Sequence, residues 1–299
     1  VAHRKALMRI MRIGDPGLEK PAALASPLDA PADSVTYVDL ADVVDDFDEH
    51  WFGNGDLERL APIVAERIAA GTVHPLAGLR IGAPIARPHQ IICIGLNYSD
   101  HAAESGMPVP DEPILFTKSP NTMVGPNDDV IMPRGATKLD WEVELGIVIG
   151  RRASYLDSLD DAADAIAGYV LVNDVSERAF QLERGGQWLK GKSAETFNPT
   201  GPWLATPDEL EVMSLGMHLD VNGARRQTGS TSTMIFEPLT IVHYVSQFMV
   251  LEPGDLINTG TPPGVGLGMT PPTYLQVGDT MTLSIDGLGT QHQRVVASR

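Results

Sequence analysis

Asp140, Glu142 and Glu144 stand at alternate positions of LDWEVELGIVIG, residues 139–150. Alternate side chains of a strand share a face, so these three carboxylates project one way while Trp141, Val143 and Leu145 project the other. Charged strand positions usually face water. This run, however, continues as GIVIG, apolar on both faces, which is the pattern of a strand covered from both sides. Carboxylates there are costly unless paired or bound to a cation. Asp174, in GYVLVNDVSER, ends a second apolar strand in the same way. Carboxylates converging from two strands make a hard, oxygen-rich site suited to Mg²⁺ or Mn²⁺ and not to a soft metal. The residues alone leave a metal site and a solvated acidic face both open.

A second constellation lies in GLNYSDHAAESG, residues 95–106, where His101 and Glu104 are three apart and share one face of a helical turn. A carboxylate bonded to one imidazole nitrogen leaves the other free to act as general base toward water. Exposed His–Glu pairs are common, so the spacing is a weak signal by itself. The stretch has little apolar content to anchor it, as a mobile lid would.

Two glycine-bearing runs imitate phosphate loops. GQWLKGKS, residues 186–193, fits G-x-x-x-x-G-K-[ST], but Pro199 and Pro202 follow where a helix should leave the loop, and the polar SERAFQLERG precedes it where a strand should enter. TGTPPGVGLG, residues 259–268, has neither G-x-G-x-x-G spacing nor room for a helix start; it reads as a tight loop after a strand, or as a place of close backbone approach to a ligand.

The elements that must position these residues divide unevenly along the chain. The first 80 or so residues offer short strands (MRIMRIG, SVTYVDL) and the amphipathic DLERLAPIVAERIAAG, with Leu57, Leu60, Ile63, Val64 and Ile68 at helical spacing and Gly71 to stop the helix. LRIGAPIARPHQ then supplies Gly and Pro punctuation suited to a linker. Beyond it come short β-rich runs: IICIGL, PILFT, VELGIVIG, GYVLVNDV, GMHLDVNG, DLINTG and TMTLSIDG. Only LDSLDDAADAIAGY and PLTIVHYVSQFMV read as helices, too few for a doubly wound sheet; the pattern predicts a mixed, mainly β domain.

Composition excludes several classes. With 22 Lys+Arg against 39 Asp+Glu the chain carries a formal charge of -17, which repels nucleic acid and anionic membrane surfaces; an anionic substrate must therefore meet a local positive site. One cysteine, Cys93, leaves no internal disulfide and no thiolate metal cluster; it reads as a small buried apolar residue. No apolar run approaches the ~20 residues that span a bilayer, and VAHRKALMRIMRIG lacks the pattern of a secretory signal, so the expected location is cytoplasmic.

GLNYSDHAAE, PILFTKSP, LDWEVELGIVIG, GYVLVNDVSERAFQ, QWLKGKSAETFNPTGPWL, VNGARRQTGSTSTMIF and EPGDLINTGTPPGVG follow one another in an order that resembles the fumarylacetoacetate hydrolase family. The resemblance runs from near residue 90 to the C-terminus. It implies an α+β fold: a mixed, mainly β roll over 86–299, with a small N-terminal α/β domain and linker over 1–85, assembled as a homodimer. It also implies a Mg²⁺- or Mn²⁺-dependent enzyme acting on a small 2-oxo or 2,4-dioxo acid. Carried over by motif, Glu142, Glu144 and Asp174 would ligate the metal, and His101 with Glu104 would activate water. Lys192 would hold a substrate oxygen, Arg178, Gln181 and Thr261 would contact substrate, and Lys118 is a further candidate contact. Asp140 is left as a supporting or structural carboxylate.

GKSAETFNPTGPWL and IDGLGTQHQR most resemble the branch acting on 2,4-diketo-3-deoxy sugar acids such as the L-rhamnonate and L-fuconate derivatives, which yields pyruvate and a second acid. Acylpyruvate hydrolysis is a near relative. Oxaloacetate decarboxylation, oxo-acid isomerisation and a ureidoglycolate lyase-like reaction use the same metal to stabilise an enolate, so the ligands do not separate them. The His101–Glu104 pair favours hydrolysis. A nucleotide-binding P-loop protein and a catalytically silent binding protein of the same fold are the rival classes.

Overall fold

The computed structural model describes residues 8–100 and 108–298. Its strands are β1 (Arg9–Ile13), β2 (Lys20–Leu24), β3 (Thr36–Asp39), β4 (Ile91–Gly95), β5 (Ile114–Lys118), β6 (Val130–Met132), β7 (Val143–Ile149), β8 (Ile166–Asn173), β9 (Leu204–Ala205), β10 (Gly216–Val221), β11 (Ala224–Ser230), β12 (Leu256–Asn258), β13 (Thr280–Ile285) and β14 (Gly289–Ala297), with several two-residue strands between them. Helices are few and short: α1 (Glu49–Gly53), α2 (Leu57–Ala69), α3 (Leu159–Ala165), α4 (Arg178–Leu182), α5 (Leu189–Lys192) and α6 (Pro238–Ser246). This is the mixed, strand-rich α+β fold expected from the pattern. No helix among the described residues is long and apolar enough to cross a membrane.

Every strand expected after residue 90 forms. The expected helix over LDSLDDAADAIAGY is shorter than its pattern. Ser158 caps α3 by accepting the Asp161 N–H at 3.1 Å, but the helix stops at Ala165 and IAG joins β8, whose every residue is buried. A run of β-branched and aromatic residues covered on both sides is better satisfied by sheet pairing than by another helical turn. In α2, Leu60 and Val64 are buried as the stripe requires, whereas Ile68 faces solvent; Gly71 ends the helix with φ +72°.

The larger sheet runs β3-β2-β1-β9-β8-β7-β12-β4-β5, with β7 and β8 antiparallel at its centre. β1 reaches it by pairing with β9, Arg9 opposite Ala205 and Ile10 opposite Leu204. The segment read as a linker takes part as well, since Ile81–Gly82 pairs with β1. A second sheet, β11-β10-β13-β14-β6, packs against it.

β7 separates two cores. Val143, Leu145, Ile147 and Ile149 enter one, shared with the second sheet and α6. Val148 enters the other, shared with β4, β8, β12 and the N-terminal helices. Between Glu144 and Val148 on that second face comes Gly146, where a Cβ would stand 2.8 Å from the side chains of both Val170 and Val172. The carboxylates of Glu142 and Glu144 thus lie on a covered face, as the sequence predicted.

Candidate active site

Glu142, Glu144 and Asp174 each offer a carboxylate oxygen such that the three atoms lie within 4.8 Å of one another, and all three residues are buried. The strand expected over 139–150 is interrupted at Trp141 and Glu142, with Leu139–Asp140 pairing separately to Ser176–Glu177; Glu142 directly precedes β7 and Glu144 is its second residue, which brings the two glutamates together. The β7–β8 register, Val143 opposite Asn173, delivers Asp174 beside them, and the Asp174 N–H donates to the Glu142 carbonyl at 2.9 Å.

Three buried cations surround the acids. Lys192 Nζ donates to Glu142 Oε2 at 2.6 Å and to Asp174 Oδ2 at 2.8 Å. Lys118 Nζ bonds to Asp174 Oδ1 and, at 2.5 Å, to the Phe197 carbonyl. Arg178 bridges Glu142 Oε1 at 2.6 Å and Asp140 Oδ2 at 2.7 Å. Local structure explains their aim. Glu177 caps α4 by accepting the Phe180 N–H at 2.6 Å, and it also holds the Thr137 and Lys138 N–H groups, which fixes the start of the helix that carries Arg178. α5 sits tight against α4 because residue 191 is glycine: a Cβ there would lie 2.5 Å from both Gln181 Cβ and the Glu177 carbonyl. That approach turns Lys192 inward, which gives the false phosphate loop its actual geometry.

The charges do not cancel. Among the described residues, Asp140, Glu142, Glu144 and Asp174 are four carboxylates, against the three cations Lys118, Arg178 and Lys192. Burial alone would raise the Glu142 carboxyl, but Lys192 and Arg178 outweigh it and hold the group down to about 2. Glu144 bonds to neither cation and feels Lys192 only as a nearby charge. Burial, then the neighbouring Asp174 and Glu142 charges, push it well above the usual carboxylate range, and the Lys192 charge and the Gly260 N–H at 2.8 Å only partly offset them. Lys192 is shifted in the opposite sense to its own burial, raised by Asp174 and Glu142. A set of hard oxygen donors, buried and one positive charge short, fits a divalent cation, which would reverse the shift at Glu144.

The residues expected to touch substrate are placed as follows. Arg178 and Gln181 meet each other, Nη1 to Oε1 at 3.1 Å, beside Glu142. The Thr261 hydroxyl lies between the Val143 carbonyl, to which it donates at 2.9 Å, and Gln227 Nε2, from which it accepts at 2.8 Å. Lys118 is buried against Asp174. His101 and Glu104 lie outside the described residues.

Some supporting residues carry no sequence signal of their own. Gln227 accepts the Val143 N–H at 3.0 Å and donates to Thr261 and to the Pro262 carbonyl, fastening β7 to the loop that follows β12. Asn97 donates to the Thr259 and Phe236 carbonyls and accepts the Phe236 N–H. Gly260, with φ +94°, is glycine because a Cβ would stand 2.9 Å from Asn97 Cβ, and its conformation is what points its N–H at Glu144. Trp188 packs edge-on to Phe116 with ring centroids 5.1 Å apart, and Lys192 Nζ stands 5.3 Å from the Phe116 centroid. Cys93 is fully buried and its thiol is pushed well up, by burial first, which leaves it without nucleophilic character.

A strand-rich α+β fold with an acidic triad ringed by lysine and arginine defines the class. Residues 90–296 match the family described as fumarylacetoacetate (FAA) hydrolase C-terminal, and the chain belongs to that family. It is 50% identical over 250 residues, 80% of this chain and 87% of the relative, to a 2,4-didehydro-3-deoxy-L-rhamnonate hydrolase of Sphingomonas sp. strain SKA58. Among solved structures, the fumarylacetoacetate hydrolase of the psychrophilic Exiguobacterium antarcticum superposes with a TM-score of 0.82 at 33% identity, over 97% of this chain and 100% of that one. The maleylpyruvate hydrolase of Sphingobium sp. SYK-6, in complex with manganese(II) and pyruvate, gives 0.78 at 25% identity, over 98% and 100%.

Proposed function

We propose that the chain is a Mg²⁺- or Mn²⁺-dependent hydrolase that cleaves the C3–C4 bond of a 2,4-dioxo acid, with a 2,4-diketo-3-deoxy sugar acid as the preferred substrate and pyruvate as one product. The convergence of Glu142, Glu144 and Asp174 beside the Lys192 ammonium carries this reading. The likeness to a rhamnonate-derivative hydrolase supports the choice of substrate class.

Glu142, Glu144 and Asp174 would hold the divalent cation, which would supply a Lewis acid for the 2-oxo acid end of the substrate. The protein's own groups do the rest. His101, oriented by Glu104, takes a proton from water as its oxygen adds to the C4 carbonyl carbon. The C3–C4 bond then breaks, its electron pair passing to C3 and onto the 2-oxo oxygen. C4 departs as the carboxylic acid, and protonation at C3 gives pyruvate. Lys192 presents its ammonium where the 2-oxo oxygen gains charge, in a water-poor setting where a fixed cation is most effective. Lys118 keeps Asp174 in place from the opposite side. Gln181 turns its Oε1 toward Arg178, which leaves its amide N–H for the substrate, and Thr261 serves through the loop that its hydroxyl secures. In this reading the enzyme works as a cytoplasmic homodimer, which sedimentation of the purified protein tests.

Pyruvate release from a panel of sugar-derived and simple 2,4-dioxo acids, with Mg²⁺ or Mn²⁺ and with EDTA, tests the proposal. Metal-dependent release with preference for a sugar-derived acid is the expected result. Absence of pyruvate from every member, with carbon dioxide evolved from oxaloacetate instead, would replace hydrolysis by decarboxylation.

A further inference from the structure

Asp140, which the sequence places at the same spacing as Glu142 and Glu144, has no place in the metal triad, yet it is completely buried. Its four bonds show what it does. Oδ1 accepts the N–H groups of Trp141 at 2.9 Å and Gly266 at 2.6 Å, while Oδ2 accepts Leu267 N–H at 3.0 Å and Arg178 Nε at 2.7 Å. The same guanidinium reaches Glu142 Oε1 at 2.6 Å through Nη2. One planar fork therefore spans two carboxylates, which a lysine point charge could not do in the same way.

Asp140 also fastens the loop of residues 259–268. Gly266 begins a single 3₁₀ turn, Gly266–Gly268, at the carboxylate; a Cβ there would lie 2.8 Å from Asp140 Oδ1 and 2.0 Å from the Thr273 carbonyl. Trp141 adds a bond from Nε1 to the Gly264 carbonyl at 3.1 Å. At its other end the loop donates Gly260 N–H to Glu144. The loop that carries Thr261 is thus tied at one end to one glutamate of the triad, and at the other, through Asp140 and Arg178, to the second.

We propose that Asp140 is a positioning residue: by sharing Arg178 with Glu142 it sets how much of the guanidinium charge falls on that carboxylate, and so the affinity of the triad for a divalent cation, while the same carboxylate pins the 259–268 loop. Without the Asp140 charge, Arg178 commits wholly to Glu142 and competes with the cation for it. The inference rests on reading Glu142, Glu144 and Asp174 as metal ligands.

The test is Mn²⁺ titration of the purified full chain, with free ion followed by electron paramagnetic resonance and folding checked by thermal melting. Asp140→Asn is expected to bind Mn²⁺ about tenfold more weakly while still melting cooperatively, the size typical when a partner of a metal ligand is lost. Asp140→Asn combined with Arg178→Met is expected to regain much of that affinity, because the over-committed cation is gone; a purely structural role for Asp140 predicts no such rescue. Should Asp140→Asn not fold, Arg178→Lys, which keeps the charge but loses the fork, is expected to weaken Mn²⁺ binding as well. Wild-type protein that binds Mn²⁺, with either single variant unchanged from it, overturns the positioning role alone. Wild-type protein that binds no Mn²⁺ overturns the ligand reading and this inference with it.

Discussion

Two clusters of ion pairs use the same residue types to different ends. Beside β1, Arg12 chelates Asp46 at 2.6 and 2.9 Å, Arg80 chelates Asp128 at 2.8 and 2.6 Å, and Glu19 lies between them, 2.9 Å from Arg80. At the active site Lys118, Arg178 and Lys192 serve Asp140, Glu142, Glu144 and Asp174. Among the described residues each cluster has one carboxylate in excess, three against two and four against three. Water decides what that excess means. The Asp46 and Asp128 side chains are 32% and 24% exposed, and Glu19, itself only 9% exposed, is held below the usual carboxylate value by Arg80 against its own burial. The triad has no such outlet, and Glu144 is pushed up instead. Surplus negative charge is harmless where solvent reaches it; where solvent does not, it becomes affinity for a cation.

Breaking each cluster should therefore read out differently. The largest effect is expected for Glu142→Ala or Glu144→Ala: metal-dependent pyruvate release lost in the assay above, the same outcome expected with EDTA. Activity that survives Glu142→Ala would refute the ligand set. Next comes Lys118→Met, which leaves the buried Asp174 carboxylate to Lys192 alone and should cost about 3 kcal/mol in urea denaturation. A loss under about 1 kcal/mol would class the pair with surface salt bridges. His101→Ala should leave Mn²⁺ binding intact while lowering turnover by about 10²-fold or more; unaltered turnover would remove His101 from the mechanism. In the outer cluster, Arg80→Ala should cost only about 1 kcal/mol, with activity unchanged in the same assay.

The smallest expected effect sharpens the comparison at full exposure. His89 and Glu49 are bonded at 2.6 Å on the surface, and that hydrogen bond, followed by the Glu49 charge, raises the imidazole. Stability from this pair is fully present below the unfolded histidine value of about 6.5 and is lost as pH rises through the higher folded value. The melting temperature should therefore fall slightly from pH 6 to pH 8, and His89→Gln should abolish that part of the slope. A slope identical in the variant would show that the pair contributes nothing.

Local pattern carried much of this site. Alternation placed Glu142 and Glu144 on one face, and the apolar GIVIG that follows showed that the face is covered. Asp174 was legible because it interrupts the end of an equally apolar strand. What escaped depends on contacts between distant segments. Nothing in VNGARRQTGS distinguishes Gln227, whose partners Val143 and Thr261 lie on another strand and another loop. Arg178 follows Asp174 in sequence as a polar helix residue; only the folded chain shows its guanidinium divided between Asp140 and Glu142. The same holds for the fold. Strand propensity marked IICIGL and DLINTG, but their parallel pairing, Leu256 with Ile91, is a long-range choice made by burial. The end of α3 was misjudged because IAG continues a helical apolar spacing while belonging to a buried strand.

The pairing of β1 with β9 has a consequence for any shortened version of the chain. Because Arg9 and Ile10 occupy the hydrogen-bonding edge offered by Leu204 and Ala205, and Met8 N–H is held by the Thr206 hydroxyl at 3.0 Å, removing the N-terminal strands would uncover a row of unsatisfied backbone groups. It would also bare apolar side chains such as Val148, Val170 and Leu204. A naked strand edge beside an oily surface is a template for pairing with another molecule. A truncated catalytic segment is accordingly expected to accumulate as aggregate, and the N-terminal strands act as a built-in guard against self-association along that edge.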